Sequence, residues 1–368
     1  MDVTLEAIAG ALEELRGVQQ NPVYHGEGDV LTHTHMVMEA LQNMPSYQKM
    51  SGEDRQAMLL SAALHDLGKK TCTRQREGRW ISPHHGGVGS GMVRHLLMTS
   101  CGLSGTPERI RQREWICAMV QAHMKPLYVF DADDPGRKVR RMAAVGELVE
   151  GFTLEKLAML AEADNRGRIC SDMQDRLDLI DRFRELAQKL DCYQKPFTYP
   201  DACSRYADLS GRQVKPGARV PCGTWGNVVM LSGLPGTGKD TFAASELNSL
   251  PMLSVDDLRR DMGLRVYEDP ERVAHEARKC ARSYLRARRP FVLNANNLTK
   301  QDRGRWISLF HEFGASAQIV YLETDWRERR RRNALRGAHV PEEDVEALLD
   351  TMAMPSLTET EEVSWLTV

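Results

Sequence analysis

Gly-Leu-Pro-Gly-Thr-Gly-Lys-Asp-Thr, residues 233–241, directly follows the apolar run Val-Val-Met-Leu at 228–231 and precedes a helical pattern. A glycine-rich loop between a strand and a helix predicts a phosphate-binding P-loop, because its backbone N–H groups can turn inward around phosphate oxygens. The helix N-terminus adds partial positive charge, and Lys239 can reach the β and γ phosphates. Asp240 stands where a Ser or Thr usually binds Mg²⁺, so either its carboxylate or Thr241 with a water molecule takes that role. The predicted nucleotide-binding residues are Gly233, Gly236, Thr237, Gly238, Lys239, Asp240 and Thr241.

Short apolar runs alternate with helical stretches on both sides of this loop, at 228–231, 252–253, 291–293 and 319–322. Continuous apolar runs separated by helices predict a parallel sheet that is covered on both faces. Residues 1–190 instead carry apolar residues at i, i+3, i+4 and i+7, and they contain no convincing strand. The segment 191–226 holds four prolines and no sustained period, which predicts a linker. We therefore expect two domains, an all-α domain at 1–190 and an α/β domain with a parallel sheet at 227–368.

The composition limits the class of protein. The chain has 368 residues with 49 basic and 51 acidic side chains, and this balance excludes a globally basic nucleic-acid coat while permitting local basic tracks. No window holds the roughly 18 uncharged apolar residues of a membrane helix, and the N-terminus lacks the basic and apolar regions of a signal peptide. Eight scattered cysteines without a CxxC pair predict neither a zinc ribbon nor a disulfide framework. We expect reduced thiols and a cytoplasmic protein.

Two polar clusters follow later strands of the predicted sheet. Ser-Val-Asp-Asp-Leu-Arg at 254–259 comes after the second apolar run, so Asp256 should lie at the carboxyl edge of the sheet, where ligands of such sheets bind. A carboxylate there can accept a proton from an attacking hydroxyl, and Arg259 can hold a phosphate. Arg332 and Arg336 are four residues apart and share one helix face, as in a lid that clamps a phosphoryl group.

The ordered set GLPGTGK, SVDDLR, NNL and RNALRG resembles the 5'-hydroxyl polynucleotide kinases of phage and bacterial end-healing enzymes. The resemblance covers the predicted α/β domain. It implies that Asp256 is the general base, that Arg259 contacts phosphates, and that Arg332 and Arg336 belong to the lid. It also aligns Asn297 with a residue of the acceptor site, and it implies ATP and Mg²⁺ as cofactors and single-stranded RNA or DNA ends as substrate.

Histidines and aspartates carry the chemistry of the first half. The doublet His65-Asp66, followed by Leu-Gly-Lys69 at the end of an apolar helix, resembles the signature of the HD phosphohydrolase superfamily. That resemblance implies four metal ligands, His33, His65, Asp66 and Asp164. His85 and His123 match the extra histidines of members that bind two metals, so we expect either two ions or one ion with two neighbouring histidines. Lys69 is a candidate to bind the same phosphate.

The donor set limits the metal without choosing one. Imidazole and carboxylate ligands suit Mn²⁺, Co²⁺, Ni²⁺, Fe²⁺ or Zn²⁺. One or two such ions activate a water molecule and neutralise a phosphate oxygen.

The two halves together resemble the bacterial HD-containing polynucleotide kinases, which are bifunctional RNA end-healing enzymes. The resemblance implies phosphorylation of 5'-hydroxyl ends and removal of 2',3'-cyclic, 2'- or 3'-phosphates. The arginine-rich segment 278–289 could follow a strand backbone. Two alternatives remain open: a nucleotide phosphohydrolase fused to a small nucleoside or nucleotide kinase, which the near-neutral charge favours, and a non-enzymatic P-loop switch that regulates the HD domain. Asp256 argues against the switch, because a switch needs no acceptor base.

Overall fold

The chain folds into two compact units in a computed structural model. The structure describes residues 3–265, 268–335 and 339–368. The first unit comprises Met1–Leu103 and Glu108–Thr198, and the second comprises Ser104–Pro107 and Tyr199–Val368. The division at residue 198 falls within the segment 191–226 that the sequence indicates as a linker. No helix in the described part of the chain is long and apolar enough to cross a membrane.

The first unit is built from helices, as its sequence period predicts. Its α-helices are α1 Ala9–Glu13, α2 Val30–Gln42, α3 Pro45–Gln48, α4 Gly52–Leu64, α5 Lys69–Cys72, α6 His85–Thr99, α7 Pro107–Ala122, α8 Pro135–Ala143, α9 Leu154–Arg166 and α10 Met173–Lys189. Short 3₁₀ helices lie at Glu6–Ile8, Lys125–Tyr128 and Ala144–Glu147. Side chains of Asp29, Ser51 and Thr153 cap the N-termini of α2, α4 and α9, and these three helices pack against one another.

The expectation of no strand in residues 1–190 is wrong. An antiparallel hairpin pairs β1 Arg74–Arg76 with β2 Arg79–Ile81. Glu77 and Gly78 form its turn with φ of +51° and +76°, the left-handed conformation that two-residue hairpin turns require. Each strand is only three residues long and largely exposed, so the alternation of apolar and polar residues that marks a half-buried strand is missing.

The expectation that all eight thiols are reduced is also wrong. Cys203 and Cys222 form a disulfide although they are 19 residues apart. Helix α11 (Ala202–Ser210) and the segment before the next strand bring their Cα atoms to 5.4 Å, within the range that a disulfide bridges. The other six cysteines are free. The spacing of the cysteines along the chain does not predict this pair, because the fold of the segment between them brings the two residues together.

The second unit has the predicted parallel sheet with helices around it. Its strands are β3 Asn227–Ser232, β4 Met252–Ser254, β5 Val292–Asn294, β6 Ser316–Glu323 and β7 Glu362–Thr367. Its remaining helices are α12 Lys239–Glu246, α13 Val255–Asp261, α14 Pro270–Arg286, α15 Lys300–Glu312, α16 Trp326–Ala334 and α17 Glu342–Thr351. The strand order is β4-β5-β3-β6-β7, and every neighbouring pair is parallel.

Both faces of this sheet are buried, as the apolar runs predict. Val228 and Met230 of β3 belong to one hydrophobic cluster, and Val229 and Leu231 belong to a second cluster. Successive residues of a strand point to opposite faces, so the continuous run fills both layers. Because β4, β5 and β3 are neighbouring parallel strands, their carboxyl ends lie side by side at one edge of the sheet. The candidate site begins at this edge.

Candidate functional site

The phosphate loop between β3 and α12 adopts a backbone that only glycine tolerates well. Gly236 and Gly238 both have a φ of +87°, and a Cβ atom on Gly236 would lie 2.7 Å from the carbonyl oxygen of Arg329. Thr237 is buried and donates its hydroxyl to the carbonyl of Leu234 at 2.9 Å, which closes the turn. Glycine is therefore required at 236 and 238 for the positive φ of the turn, and at 236 also because α16 packs too close for a side chain.

Lys239 lies inside this loop. Its Nζ donates to the carbonyls of Gly233 at 2.8 Å and Leu234 at 3.0 Å. A pocket of about 230 Å³ opens around it, lined by Gly236, Gly238, Lys239, Asp240, Thr241, Asp256, Asn294, Ala295 and Arg332. The pocket brings together residues from four separate positions along the sequence, which are the loop, the residues after β4, the end of β5, and α16.

Asn294 is a pocket residue that the sequence analysis did not single out. It is the last residue of β5, and its amide donates to Oδ1 of Asp240 at 2.6 Å. This bond orients the carboxylate that replaces the usual Ser or Thr. Its place at the carboxyl end of a strand was the available signal, but the NNL motif drew attention to Asn297 instead.

Asn297 has a different environment. It is buried with a φ of +45°, its amide donates to the carbonyl of Leu231 at 2.7 Å, and its own carbonyl accepts from the hydroxyl of Ser232 at 2.9 Å. These bonds tie the segment after β5 to β3, the strand that leads into the loop. Acceptor binding by Asn297 stays a prediction.

Asp256 and Arg259 lie on the first turns of α13. The Asp256 side chain is 66% exposed, and its Oδ1 accepts from Nη1 of Arg259 at 3.0 Å. The arginine side chain is only 18% exposed. The carboxylate therefore lines the pocket while remaining accessible to an incoming hydroxyl group.

Helix α16 provides the arginine side of the pocket. Nε of Arg332 donates to Glu328 at 2.8 Å, and its Nη1 lies 3.3 Å from the position that a Cβ would take on Gly238. Arg329, which no sequence motif marked, is buried on the same helix, stacks on the ring of Trp326 at 4.2 Å and pairs with Glu342. Nη1 of Arg329 also donates to the carbonyl of Pro235 in the loop at 3.4 Å, which holds α16 beside the loop. Arg336 lies outside the described residues.

A second cluster lies in the first unit, where the six histidines and aspartates singled out by sequence come together. His33 is on α2, His65 and Asp66 follow α4, His85 begins α6, His123 follows α7, and Asp164 is on α9. Four imidazole Nε2 atoms face the carboxylates, at 3.0 Å for His33 to Asp164, 3.1 Å for His65 to Asp66, 3.4 Å for His85 to Asp66 and 3.8 Å for His123 to Asp66.

Backbone carbonyls fix the other nitrogen of three of these rings. The Nδ1 atoms of His65, His85 and His123 lie 2.7 Å from the carbonyls of Ala62, Ser82 and Val120, respectively. Donation from Nδ1 leaves the lone pair of Nε2 free to bind a metal ion, which is the usual arrangement around metal-binding histidines.

Two sets drawn from these six residues could hold a metal ion, and Asp66 belongs to both. One set is His33, His65 and Asp66, and the other is Asp66, His85 and His123. A third set, His25, Glu27 and His33, shares His33 with the first. When Nδ1 of His65 carries the proton, its Nε2 and the nearby carboxylate of Asp66 are both acceptors and form no hydrogen bond with each other, so Nε2 of His65 and Oδ1 of Asp66 are buried without a hydrogen-bond donor. Buried polar atoms are rarely left in that state, so these donors fit a divalent ion.

The electrostatics of the cluster place most of these groups in the forms that bind metals. Burial opposes the charge of Asp66, but His65 and Lys69 lower the pKa of its carboxyl well below the usual range. Burial and the charges of His85 and His65 lower the pKa of His123 to about 3, so its imidazole is neutral at pH 7. His65 differs, because burial opposes its charge but Asp66 and Asp164 together outweigh burial, so the pKa of its imidazole is raised. A proton and a metal ion would therefore compete for His65.

Lys69 reaches the cluster from the first turn of α5. Its Nζ lies 2.6 Å from Oδ2 of Asp66 and donates to Gln20 at 2.7 Å. The ammonium group is therefore buried beside the carboxylate that both candidate metal sets share.

Two supporting residues were missed by sequence reasoning. Arg168 places its guanidinium on both oxygens of Asp164, at 2.7 and 2.6 Å, and Glu27 lies 3.0 Å from Nδ1 of His33. Arg168 follows Asp164 by four residues, just past the end of α9, and this spacing was the available signal for the first. Glu27 carried no comparable signal.

Comparison with known proteins supports the interpretation of the second unit as a P-loop domain. A protein-family model for the AAA domain matches residues 228–355. The matched range includes the loop, Asp256, Asn294 and Arg332. No match was found among curated proteins.

The parallel sheet, the loop pocket and this match together define the class of domain to which the second unit belongs. Residues 228–355 form a P-loop kinase-like domain, which implies ATP and Mg²⁺ as its ligands.

Proposed function

We propose that the chain is a bifunctional nucleic-acid end-healing enzyme. Its C-terminal domain, at 227–368, would phosphorylate 5'-hydroxyl ends of RNA or DNA with ATP. Its N-terminal domain, at 1–190, would remove 2',3'-cyclic, 2'- or 3'-phosphates, with 191–226 as the linker between them. The observation that carries the proposal is an exposed carboxylate, Asp256, in the same pocket as the loop lysine Lys239, because a kinase needs an acceptor base where a switch does not.

In the kinase domain each pocket residue has a distinct task. The loop N–H groups and Lys239 would bind the β and γ phosphates, with the ammonium exchanging loop carbonyls for phosphate oxygens. Asp240 and Thr241 would hold the Mg²⁺ that accompanies ATP. Asp256 would accept the proton of the 5'-hydroxyl, and Arg332 would place positive charge over the transferring group.

In the HD-type domain, the six residues of the cluster would hold one or two divalent ions, namely His33, His65, Asp66, His85, His123 and Asp164. Such ions would supply Lewis acidity and an activated water. Lys69 would orient a phosphate oxygen from beside Asp66. Arg168 and Glu27 would keep Asp164 and His33 in position, as outer partners of metal ligands commonly do.

Two features favour a polynucleotide as the acceptor. One is the order of the four kinase motifs, and the other is the basic helix α14. That helix ends in a segment rich in arginine, and Arg286, Arg288 and Arg289 are exposed. Exposed guanidinium groups can follow a phosphate backbone.

One substrate tests both activities. A short RNA strand with a 5'-hydroxyl and a 3'-phosphate is incubated with labelled ATP, Mg²⁺ and Mn²⁺, and the products are resolved by mass spectrometry. Gain of a 5'-phosphate and loss of the 3'-phosphate support the proposal. A parallel reaction offers free nucleosides as acceptors. If label appears on these nucleosides and never on the strand, the small-nucleoside kinase is the better assignment. If ATP binds but no acceptor is labelled, the switch is favoured.

A further inference from the structure

The exposed apolar side chains of the first unit lie in chain segments that adjoin the histidine-aspartate cluster in sequence. Among the described residues of this unit, the large apolar side chains that are exposed are Val23, Tyr24, Val88, Tyr128 and Ile169. Each lies within five residues in sequence of His85, His123 or Arg168, or of His25, whose Nδ1 lies 2.7 Å from Glu27. Single exposed apolar residues are ordinary, but a set gathered near one site indicates a binding surface. We call these five residues the apolar rim.

One side of the apolar rim is tied to the His33 side of the cluster. The backbone N–H of Gly26 donates to the carbonyl of Ile169 at 2.9 Å, and the N–H of Ile169 donates to Glu27 at 2.8 Å. Glu27 in turn contacts Nδ1 of His33. The loop that presents Tyr24 is therefore held next to Ile169 and directly beside a candidate metal ligand.

The other side of the apolar rim is tied to the two remaining histidines. Val88 lies one turn after His85 on the same face of α6, and Tyr128 ends the 3₁₀ helix that follows His123. The Nε2 atoms of His85 and His123 are 3.2 Å apart. Apolar side chains therefore follow both of these candidate ligands closely.

Arg168 connects the two sides. It holds Asp164, it directly precedes Ile169, and its Nη2 lies 3.6 Å from the sulfur of Met124, next to His123. The apolar rim therefore flanks the cluster on the His33 side and on the His123 side.

Positive charge accompanies both tyrosines of the apolar rim. The guanidinium of Arg176 lies 5.3 Å from the centre of the Tyr24 ring, and Nζ of Lys138 donates to the carbonyl of Tyr128. Aromatic rings with nearby cations are the usual platform for single-stranded nucleic acid, because every base has a π-face and every phosphate a negative charge.

We propose that the apolar rim binds the bases of a single-stranded nucleic acid next to its terminal phosphate, with bases stacked on Tyr24 and Tyr128. This inference rests on the proposed hydrolysis of terminal phosphates and narrows its substrate class. A cluster of metal ligands alone can accept any small phosphate ester. Two aromatic platforms on different sides of it select a strand of at least two nucleotides.

The test compares ring removal with ring retention. Tyr24→Ala, Tyr128→Ala and the double variant are set against Tyr24→Phe and Tyr128→Phe, which keep the ring. Substrates are a hexanucleotide ending in a 3'-phosphate and the same strand with its last two positions abasic, and released phosphate is measured. Each Ala variant should raise KM for the intact strand by about 10-fold, because loss of one base–aromatic stack weakens binding by roughly 5- to 150-fold. The kcat should change less than about twofold, because the rings do not take part in the hydrolysis step. The Phe variants should keep the KM of the unaltered protein, and the abasic strand should show no difference among proteins.

The outcomes separate this inference from the proposed function. If the unaltered protein releases phosphate and the Ala variants keep its KM, the apolar rim does not bind bases and the hydrolytic assignment stands. If no protein releases phosphate, the hydrolytic assignment fails. Fluorescence of a 2-aminopurine next to the 3'-phosphate then still decides the inference, because stacking changes its intensity on binding. A change that is lost in the Ala variants supports stacking, and an equal change in all proteins refutes it.

Discussion

Replacing Asp256 by asparagine removes one negative charge from the loop pocket and leaves the size of the side chain unchanged. If Asp256 accepts the proton of the attacking hydroxyl, phosphoryl transfer should slow by about 10²–10⁴-fold, which corresponds to about 2.7–5.4 kcal/mol of activation free energy. The structural loss is small by comparison. The carboxylate is 66% exposed and its ion pair with Arg259 is worth at most about 1 kcal/mol, so the melting temperature should fall by no more than about 4 °C.

The neighbouring Asp257 provides a matched control. Asp257 lies on the same turn of α13 and pairs with Arg260, as Asp256 pairs with Arg259. Of these two aspartates, only Asp256 lines the pocket. Single-turnover transfer of labelled phosphate to a 5'-hydroxyl strand is measured for both asparagine variants, together with the Kd for ATP. Asp257→Asn should stay within about threefold of the unaltered rate, and both variants should bind ATP normally. Near-normal transfer by Asp256→Asn, or an equal loss in both variants, would refute the assignment of the base.

Three further substitutions address the loop, the histidine-aspartate cluster and the core of the first unit. Lys239→Ala should abolish phosphoryl transfer by removing the cation that holds the phosphates, while release of a 3'-phosphate continues; loss of both activities in a folded variant would contradict separate sites. Asp66→Ala should do the reverse, with metal content by mass spectrometry and phosphate release both falling to background and 5'-labelling retained; continued removal of the terminal phosphate would show that the cluster is not the hydrolytic centre. Glu114→Gln should lower the free energy of unfolding by about 3–5 kcal/mol, because its carboxylate contacts the buried guanidiniums of Arg94 at 2.7 Å and Arg113 at 2.8 Å. Burial opposes the charge of Glu114, but the two arginines lower its pKa, so this stabilisation is present above the ordinary pKa of 4.5 and declines as the pH falls through the lower folded value. Calorimetry at pH 7 and pH 3.5 should show the gap between the two proteins shrinking on acidification, and a growing gap would count against the pairing.

The phosphate loop and its sheet were predictable from the sequence because their signals are local. A strand, a tight glycine turn and a helix start follow one another within about fifteen residues, and each depends on contacts no further than four positions away. The same locality explains why the helical period of the first half was sufficient to predict helices there. It also explains the missed hairpin, because the exposed strands β1 and β2 have no apolar alternation to detect.

The candidate metal ligands were chosen by residue type and order, but their arrangement required the folded chain. His33 and Asp164 are 131 residues apart in sequence and 3.0 Å apart in space. Nothing in the sequence between them encodes that distance, which follows from the packing of α2 against α9. Glu27 lies only six residues before His33, but its contact with Nδ1 at 3.0 Å depends on the conformation of the loop before α2, which the sequence does not show.

The sequence by itself therefore determined the loop, the parallel sheet, the helical first half and the types of side chain available for chemistry. Tertiary structure alone decided that Asn294 holds Asp240, that Arg329 anchors α16, that Cys203 pairs with Cys222, and that Tyr24 and Tyr128 are exposed. The physical reason is range: turn and period signals arise within a few residues, whereas these contacts depend on which surfaces are buried together after distant segments have packed.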